Sequence, residues 1–97
     1  MIFVHDIFVC KPGNASKLAK KFKEAMTGQE ELVHVMTDLT GQYNRVIMVT
    51  KYANLTAYEK SWEKYKENPE LAKKMEETMQ GYQEMYLTGS REIYQTS

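Results

Sequence analysis

The chain has 97 residues, 13 basic and 13 acidic side chains interleaved along its length, and a single cysteine, Cys10. This length allows one domain, spanning residues 1–97; the charge balance leaves no basic stripe for nucleic acid; and one cysteine excludes an internal disulfide and the usual zinc clusters. The apolar runs fall far short of the roughly 20 residues that cross a bilayer, and the start has Asp6 in its middle and no basic leader, so a cytoplasmic protein with no membrane association is expected.

A domain this short buries a modest share of its surface and leans on a disulfide, a metal or self-association. Association is the support left open by this composition.

Residues 2–10 (IFVHDIFVC) are rich in β-branched and aromatic types and end at Lys11-Pro12-Gly13, a turn signal, which predicts a first strand. From Asn14 onward, Ala15, Leu18, Ala19, Phe22, Ala25 and Met26 recur in steps of three and four. Lys17, Lys20, Lys21, Lys23 and Glu24 fill the other face, as in an amphipathic helix. Gly28 is placed to close that helix, and Asn14 or Ser16 to cap its start. Residues 31–39 and 45–53 read as two strands joined by the turn-rich Thr40-Gly41-Gln42-Tyr43-Asn44, hence an antiparallel hairpin.

Asn54 is a good cap for a second helix carrying Leu55, Tyr58, Trp62 and Tyr65 on one stripe. The helix breaks at Asn68-Pro69 and restarts there, turning Leu71, Ala72, Met75, Met79 and Tyr82 inward. The triplets Asn14-Ala15-Ser16 and Asn54-Leu55-Thr56 have the form of glycosylation sites, but in a cytoplasmic chain they read as helix caps. Residues 84–95 alternate imperfectly and form a fourth strand, in which Gly89 marks a bulge or the close approach of another backbone.

The predicted order is βαββαβ, an α+β, ferredoxin-like arrangement with both helical segments on one face of a four-stranded antiparallel sheet. The first three strands are apolar on both faces. Phe3, Ile7 and Val9 alternate with Ile2, Val4, Phe8 and Cys10; Val33 and Val35 with Leu32 and Met36; Ile47 and Val49 with Val46 and Met48. Leaving one such face in water forfeits about 1.5–3 kcal/mol per large side chain, against a typical domain margin of about 5–15 kcal/mol. A second copy related by a two-fold axis is the simplest cover, closing a dimeric α+β barrel; a different partner chain is the alternative.

The first strand followed by Lys11-Pro12-Gly13 and a helix, the Thr40-Gly41 hairpin and the Tyr52-Ala53-Asn54-Leu55 opening of the second helix resemble the dimeric α+β barrel superfamily. The likeness is strongest to its NIPSNAP-like and antibiotic-biosynthesis-monooxygenase-like branches, and Gly89-Ser90-Arg91-Glu92-Ile93-Tyr94 is similar to the last strand of some NIPSNAP-like chains. The resemblance implies a homodimer. It also implies one of two roles: binding a small apolar or aromatic molecule between sheet and helices, or cofactor-independent oxygenation of a phenolic or polyketide-like substrate. The second role needs only a dry pocket and a base. The chain departs from the pattern at Asp6, where many NIPSNAP-like chains carry arginine. It also lacks the asparagine, tryptophan and histidine set that would carry over haem degradation from another branch, and no cofactor is expected.

His5 and His34 are the only histidines and thus the candidate bases or axial ligands; a hydrogen-bonded or edge-exposed structural role is the plainer alternative for each. On a regular strand His34 and Asp38 are about 13 Å apart, too far for a dyad. Tyr58, Trp62 and Tyr65 could wall an aromatic ligand, with Tyr52 and Tyr86 adding polar tips from the sheet, or pack as core. Seven methionines suit an adaptable cavity or a loose core equally. Asp6, a carboxylate in an apolar strand, needs a partner such as Arg45, Arg91 or a lysine. Cys10 lacks an activating neighbour, and no His-x-x-x-His spacing suggests a metal site.

Overall fold

The computed structural model describes residues 1–40 and 43–97; Gly41 and Gln42 of the predicted hairpin link lie outside the described residues. The elements run β1 (Ile2–Cys10), α1 (Ala15–Ala25), β2 (Leu32–Thr37), β3 (Arg45–Tyr52), α2 (Leu55–Ser61), α3 (Glu63–Glu67), α4 (Pro69–Thr78), a 3₁₀ turn (Tyr82–Glu84) and β4 (Tyr86–Gln95). All strand pairings are antiparallel in the order β2-β3-β1-β4, so β1 is central and pairs with both β3 and β4. This is the expected ferredoxin-like α+β arrangement.

Local chemistry sets most of the boundaries. The Asn54 side chain accepts from Ala57 N at 2.9 Å and that of Asn68 from Leu71 N at 3.2 Å, so both predicted caps form. Asn14 occupies the cap position of α1 without a side-chain bond, and its backbone is already helical there, which turns the side chain away from the free amides. Gly28, at φ +82°, takes the left-handed conformation that carries the chain out of α1.

The second helical region divides into three pieces rather than two, with an additional break at Trp62. β2 stops at Thr37, before the predicted end, because the Asp38 carboxylate accepts from the backbone N–H of Arg45 at 3.1 Å and from its Nε at 3.3 Å. β4 starts late because residues 82–84 coil into the 3₁₀ turn.

The alternation of β1 resolves into two distinct faces. Phe8 and Cys10 point toward the helices, where Leu18 and Phe22 of α1 and Val46 of β3 close a core bordered by Val35, Met48, Met79 and Tyr86. Leu18, Val4 and Val46 are fully buried. Phe3, His5, Ile7 and Val9 point to the opposite face, beside Ile47 and Val49 of β3 and Met36 of β2. No element of the chain covers that outer face among the described residues, and Met36 is 39% exposed there.

Gly89 lies opposite Phe8 on the core side. A Cβ at Gly89 would stand 3.1 Å from two ring carbons of Phe8, so the close neighbour is an aromatic ring and not a backbone. The irregularity in β4 falls at Leu87, where pairing shifts between Val9 and Cys10.

Candidate ligand-binding cavity

Beyond the Leu18–Phe22 core, the sheet and the broken second helical region separate to leave a cavity of about 480 Å³. That size is in the range of small-molecule sites. Its floor is the helix-facing set of the sheet: Asp6 and Phe8 of β1, Met48, Thr50 and Tyr52 of β3, and Arg91 of β4. Its roof is Tyr58 of α2, Trp62 at the α2–α3 junction and Tyr65 of α3, with Ala72 and Met75 of α4 and Met79 at its end. Tyr58, Trp62 and Tyr65 reach the same space because steps of four and three return to one helical face.

The aromatic rings form a continuous series, edge-to-face from Tyr52 through Tyr58 to Trp62 and tilted from Trp62 to Tyr65. The Tyr52 and Tyr58 centroids are 5.1 Å apart, Tyr58 and Trp62 6.1 Å, and Trp62 and Tyr65 6.3 Å. The Arg91 guanidinium lies 5.8 Å from the centres of both the Tyr58 and the Trp62 rings, within cation–π range. Its Nε donates to Asp6 Oδ1 at 2.6 Å, a pairing dictated by register, since Asp6 and Arg91 face each other across β1 and β4. The hydrogen bond to Asp6 holds the Arg91 pKa above its ordinary value. Lys64 and Glu31, which also line the cavity, pair with each other.

Tyr58 is the polar anomaly of the wall. Its hydroxyl oxygen is buried and has no hydrogen-bond partner among the described residues. Burial pushes the phenol pKa up, against the opposing pull of the Arg91 charge.

Of the residues singled out from sequence, the cavity brings together Tyr52, Tyr58 and Trp62. Tyr86 instead packs into the core, 4.8 Å from Phe8 and 5.9 Å from Tyr82 between centroids, and does not line the cavity. His5 and His34 lie on the outer sheet face. Both sit opposite Val49, one from each flanking strand, roughly 10 Å apart by strand spacing. His5 meets the Tyr94 ring edge-on at 5.0 Å. Cys10 is buried, and burial together with the Asp38 charge raises its thiol pKa. Among the described residues no group of three or more His, Cys, Asp or Glu side chains is placed to hold a metal ion, and no helix is long and apolar enough to cross a membrane.

Arg91 was visible in sequence only as one of several partners for Asp6. Its position over two rings needs the β1–β4 register, which no local motif encodes.

The sequence profile of the NIPSNAP family matches residues 6–88, from Asp6 in β1 to Thr88 near the start of β4. The chain belongs to the NIPSNAP family. No curated protein matches it by sequence. Among solved structures, this NIPSNAP chain is similar to an uncharacterised NIPSNAP domain protein from Burkholderia xenovorans (TM-score 0.81, 12% identity, covering 100% of this chain and 95% of that one). It is also similar to a NIPSNAP family protein from Agrobacterium tumefaciens (TM-score 0.79, 15% identity, 99% and 92% covered). A protein from Nitrosomonas europaea named as a candidate antibiotic biosynthesis monooxygenase matches at TM-score 0.66 and 10% identity, with 99% and 98% covered. At these identities the likeness is one of fold.

Proposed function

We propose that this NIPSNAP protein binds a small apolar or aromatic molecule in the cavity between sheet and helices, as a homodimer joined through the outer sheet face. The observation that carries the binding reading is the Tyr58 hydroxyl, buried without a partner among the described residues on the aromatic and methionine-rich wall of the cavity. A buried hydroxyl left unpaired costs about 1–3 kcal/mol, a cost that a ligand atom accepting or donating there removes.

Trp62 is the only tryptophan, so its indole N–H gives one resonance in a nitrogen–proton correlation spectrum, and that resonance reports on the cavity wall. Titration with naphthalene is expected to shift it saturably, and Ala72→Phe, which fills the cavity, to abolish the shift while leaving the rest of the spectrum dispersed. An unmoved Trp62 signal at saturating naphthalene would refute the reading.

The other role, cofactor-independent oxygenation of a phenolic substrate, requires a base beside the substrate. Neither histidine lines the cavity; of its three lining carboxylates, Asp6 and Glu31 are held by Arg91 and Lys64, and Glu76 is solvent-exposed rather than in a dry setting. Binding is therefore preferred. Oxygen uptake with a panel of hydroquinones is expected to stay at the protein-free rate; uptake that requires the protein would reverse the preference.

The dimer reading is supported by the outer face, where Phe3, Ile7, Val9, Ile47 and Met36 form an apolar surface that no element among the described residues covers. Sedimentation is expected to give a dimer at micromolar concentration and a monomer for Met36→Glu. A wild-type monomer under the same conditions would overturn it.

A further inference from the structure

We propose that Asp6 sets the charge of the ligand. The cavity takes a molecule whose polar head is a neutral group that both donates and accepts hydrogen bonds, a hydroxyl or a carboxamide, and disfavours a carboxylate of the same shape. This rests on the binding reading above and adds the chemical class of the ligand.

Two charged groups of the cavity meet on its floor beneath the Tyr58 ring. Asp6 and Arg91 are register partners on the central and edge strands, both facing inward, and the Tyr58 ring lies 5.8 Å from the Arg91 guanidinium. Only Nε of Arg91 is used, donating to Asp6 Oδ1; a guanidinium carries five N–H donors, and the terminal ones make no hydrogen bond among the described residues. The Arg91 side chain is 48% exposed, so those donors remain reachable. Asp6 Oδ2 likewise accepts no hydrogen bond among the described residues. The pair therefore presents both donors and an acceptor while its formal charges cancel.

A carboxylate head would gain the free Arg91 donors but meet the Asp6 carboxylate in the same space. It would also surrender its hydration with no uncompensated cation to replace it. The rest of the lining does not supply one: Lys64 is paired with Glu31, and the lining holds Asp6, Glu31 and Glu76 against Lys64 and Arg91. A hydroxyl or carboxamide meets none of this repulsion. It can donate to Asp6, accept from Arg91 and satisfy the Tyr58 hydroxyl, while its apolar body lies along the aromatic series.

The test is calorimetric titration with naphthalene, 2-naphthol, 2-naphthamide and 2-naphthoate at neutral pH. In the wild type, 2-naphthol and 2-naphthamide are expected to bind at least about tenfold more tightly than 2-naphthoate or naphthalene, as hydrogen bonds to charged groups warrant. Asp6→Asn keeps the shape and removes the counter-charge, so 2-naphthoate is expected to gain at least about tenfold and overtake 2-naphthol. Arg91→Gln, at a half-exposed side chain, supplies a second variant should Asp6→Asn fail to fold. It is expected to cut the advantage of 2-naphthol over naphthalene at least about threefold, and an undiminished advantage in folded Arg91→Gln would overturn the proposal. Wild-type binding of 2-naphthoate equal to or tighter than 2-naphthol would overturn this proposal and leave the binding reading standing, as would an unchanged ranking in folded Asp6→Asn. Absence of binding by all four compounds would overturn both.

Discussion

Removing Arg91 should destabilise the protein more than removing the charge of its partner. Asp6 is buried, its side chain 12% exposed, whereas that of Arg91 is 48% exposed. Arg91→Met strips the one side-chain hydrogen-bond donor found among the described residues from a carboxylate on the central strand, which water reaches poorly. Breaking a fully buried ion pair costs about 3–5 kcal/mol, but here one partner is half in solvent, which screens the interaction and reduces the expected loss to about 1–3 kcal/mol. Asp6→Asn keeps an oxygen that can accept from Arg91 Nε and leaves the guanidinium charge uncompensated where water can solvate it, at about 1 kcal/mol or less. For a domain of this size 1 kcal/mol corresponds to about 4–8 °C in Tm.

Thermal and urea unfolding at one fixed protein concentration measure both losses, since any self-association makes apparent stability concentration-dependent. The double variant then separates the pair term from the effect of each side chain alone. An Arg91→Met loss below about 0.5 kcal/mol, within the range of ordinary surface changes, would refute the reasoning. So would an Asp6→Asn loss equal to or larger than it.

Three further outcomes follow from the packing and the charges. Leu18→Ala, at a fully buried side chain between α1 and the sheet, is expected to lower stability by about 2–5 kcal/mol in urea titration; a loss under about 1 kcal/mol would show that the site collapses or is not central. Gly89→Val forces a side chain against the Phe8 ring, which is already packed at 5.2 Å from Phe22 and 4.8 Å from Tyr86, and is expected to cost about 1–3 kcal/mol; an unchanged urea midpoint would contradict the tight approach. Burial pushes the Glu31 carboxyl up, but the hydrogen bond and charge of Lys64 override it and leave the folded pKa below its ordinary value. The resulting stabilisation is present above the unfolded carboxyl pKa of about 4.3 and is lost as pH falls through the lower folded value. The Tm gap between wild type and Glu31→Gln should accordingly close on acidification from about pH 7 to below pH 4, and a gap that stays constant would contradict the pairing.

The elements that depend on neighbours in sequence were legible without a structure. The β-rich run of β1 halted by Lys11-Pro12-Gly13, the three-and-four spacing of Leu18 and Phe22, and the caps at Asn54 and Asn68 all act over a few residues, and each forms where expected. The Tyr58–Trp62–Tyr65 stripe was equally visible, and Asp6 stood out as a charge in an apolar strand that had to find a partner. The match of residues 6–88 to the NIPSNAP family agrees with the resemblance read from short motifs.

What the sequence left open was every choice between two apolar faces. With Phe3, Ile7 and Val9 as hydrophobic as Val4, Phe8 and Cys10, a period of two cannot say which set meets the helices. Only the packing of Leu18 and Phe22 against Phe8, Cys10 and Val46 makes that decision. It carries the site with it: Asp6, Met48, Thr50 and Tyr52 turn into the cavity, while His5 and His34 turn to the outer face and Tyr86 enters the core. The Asp6–Arg91 pair spans 85 positions and exists because the two terminal strands lie side by side in one register. Sequence alone thus determined the elements and the suspects, through forces that act within a few residues. Tertiary packing decided which suspects meet, because strand partners and buried faces are chosen by the whole chain at once.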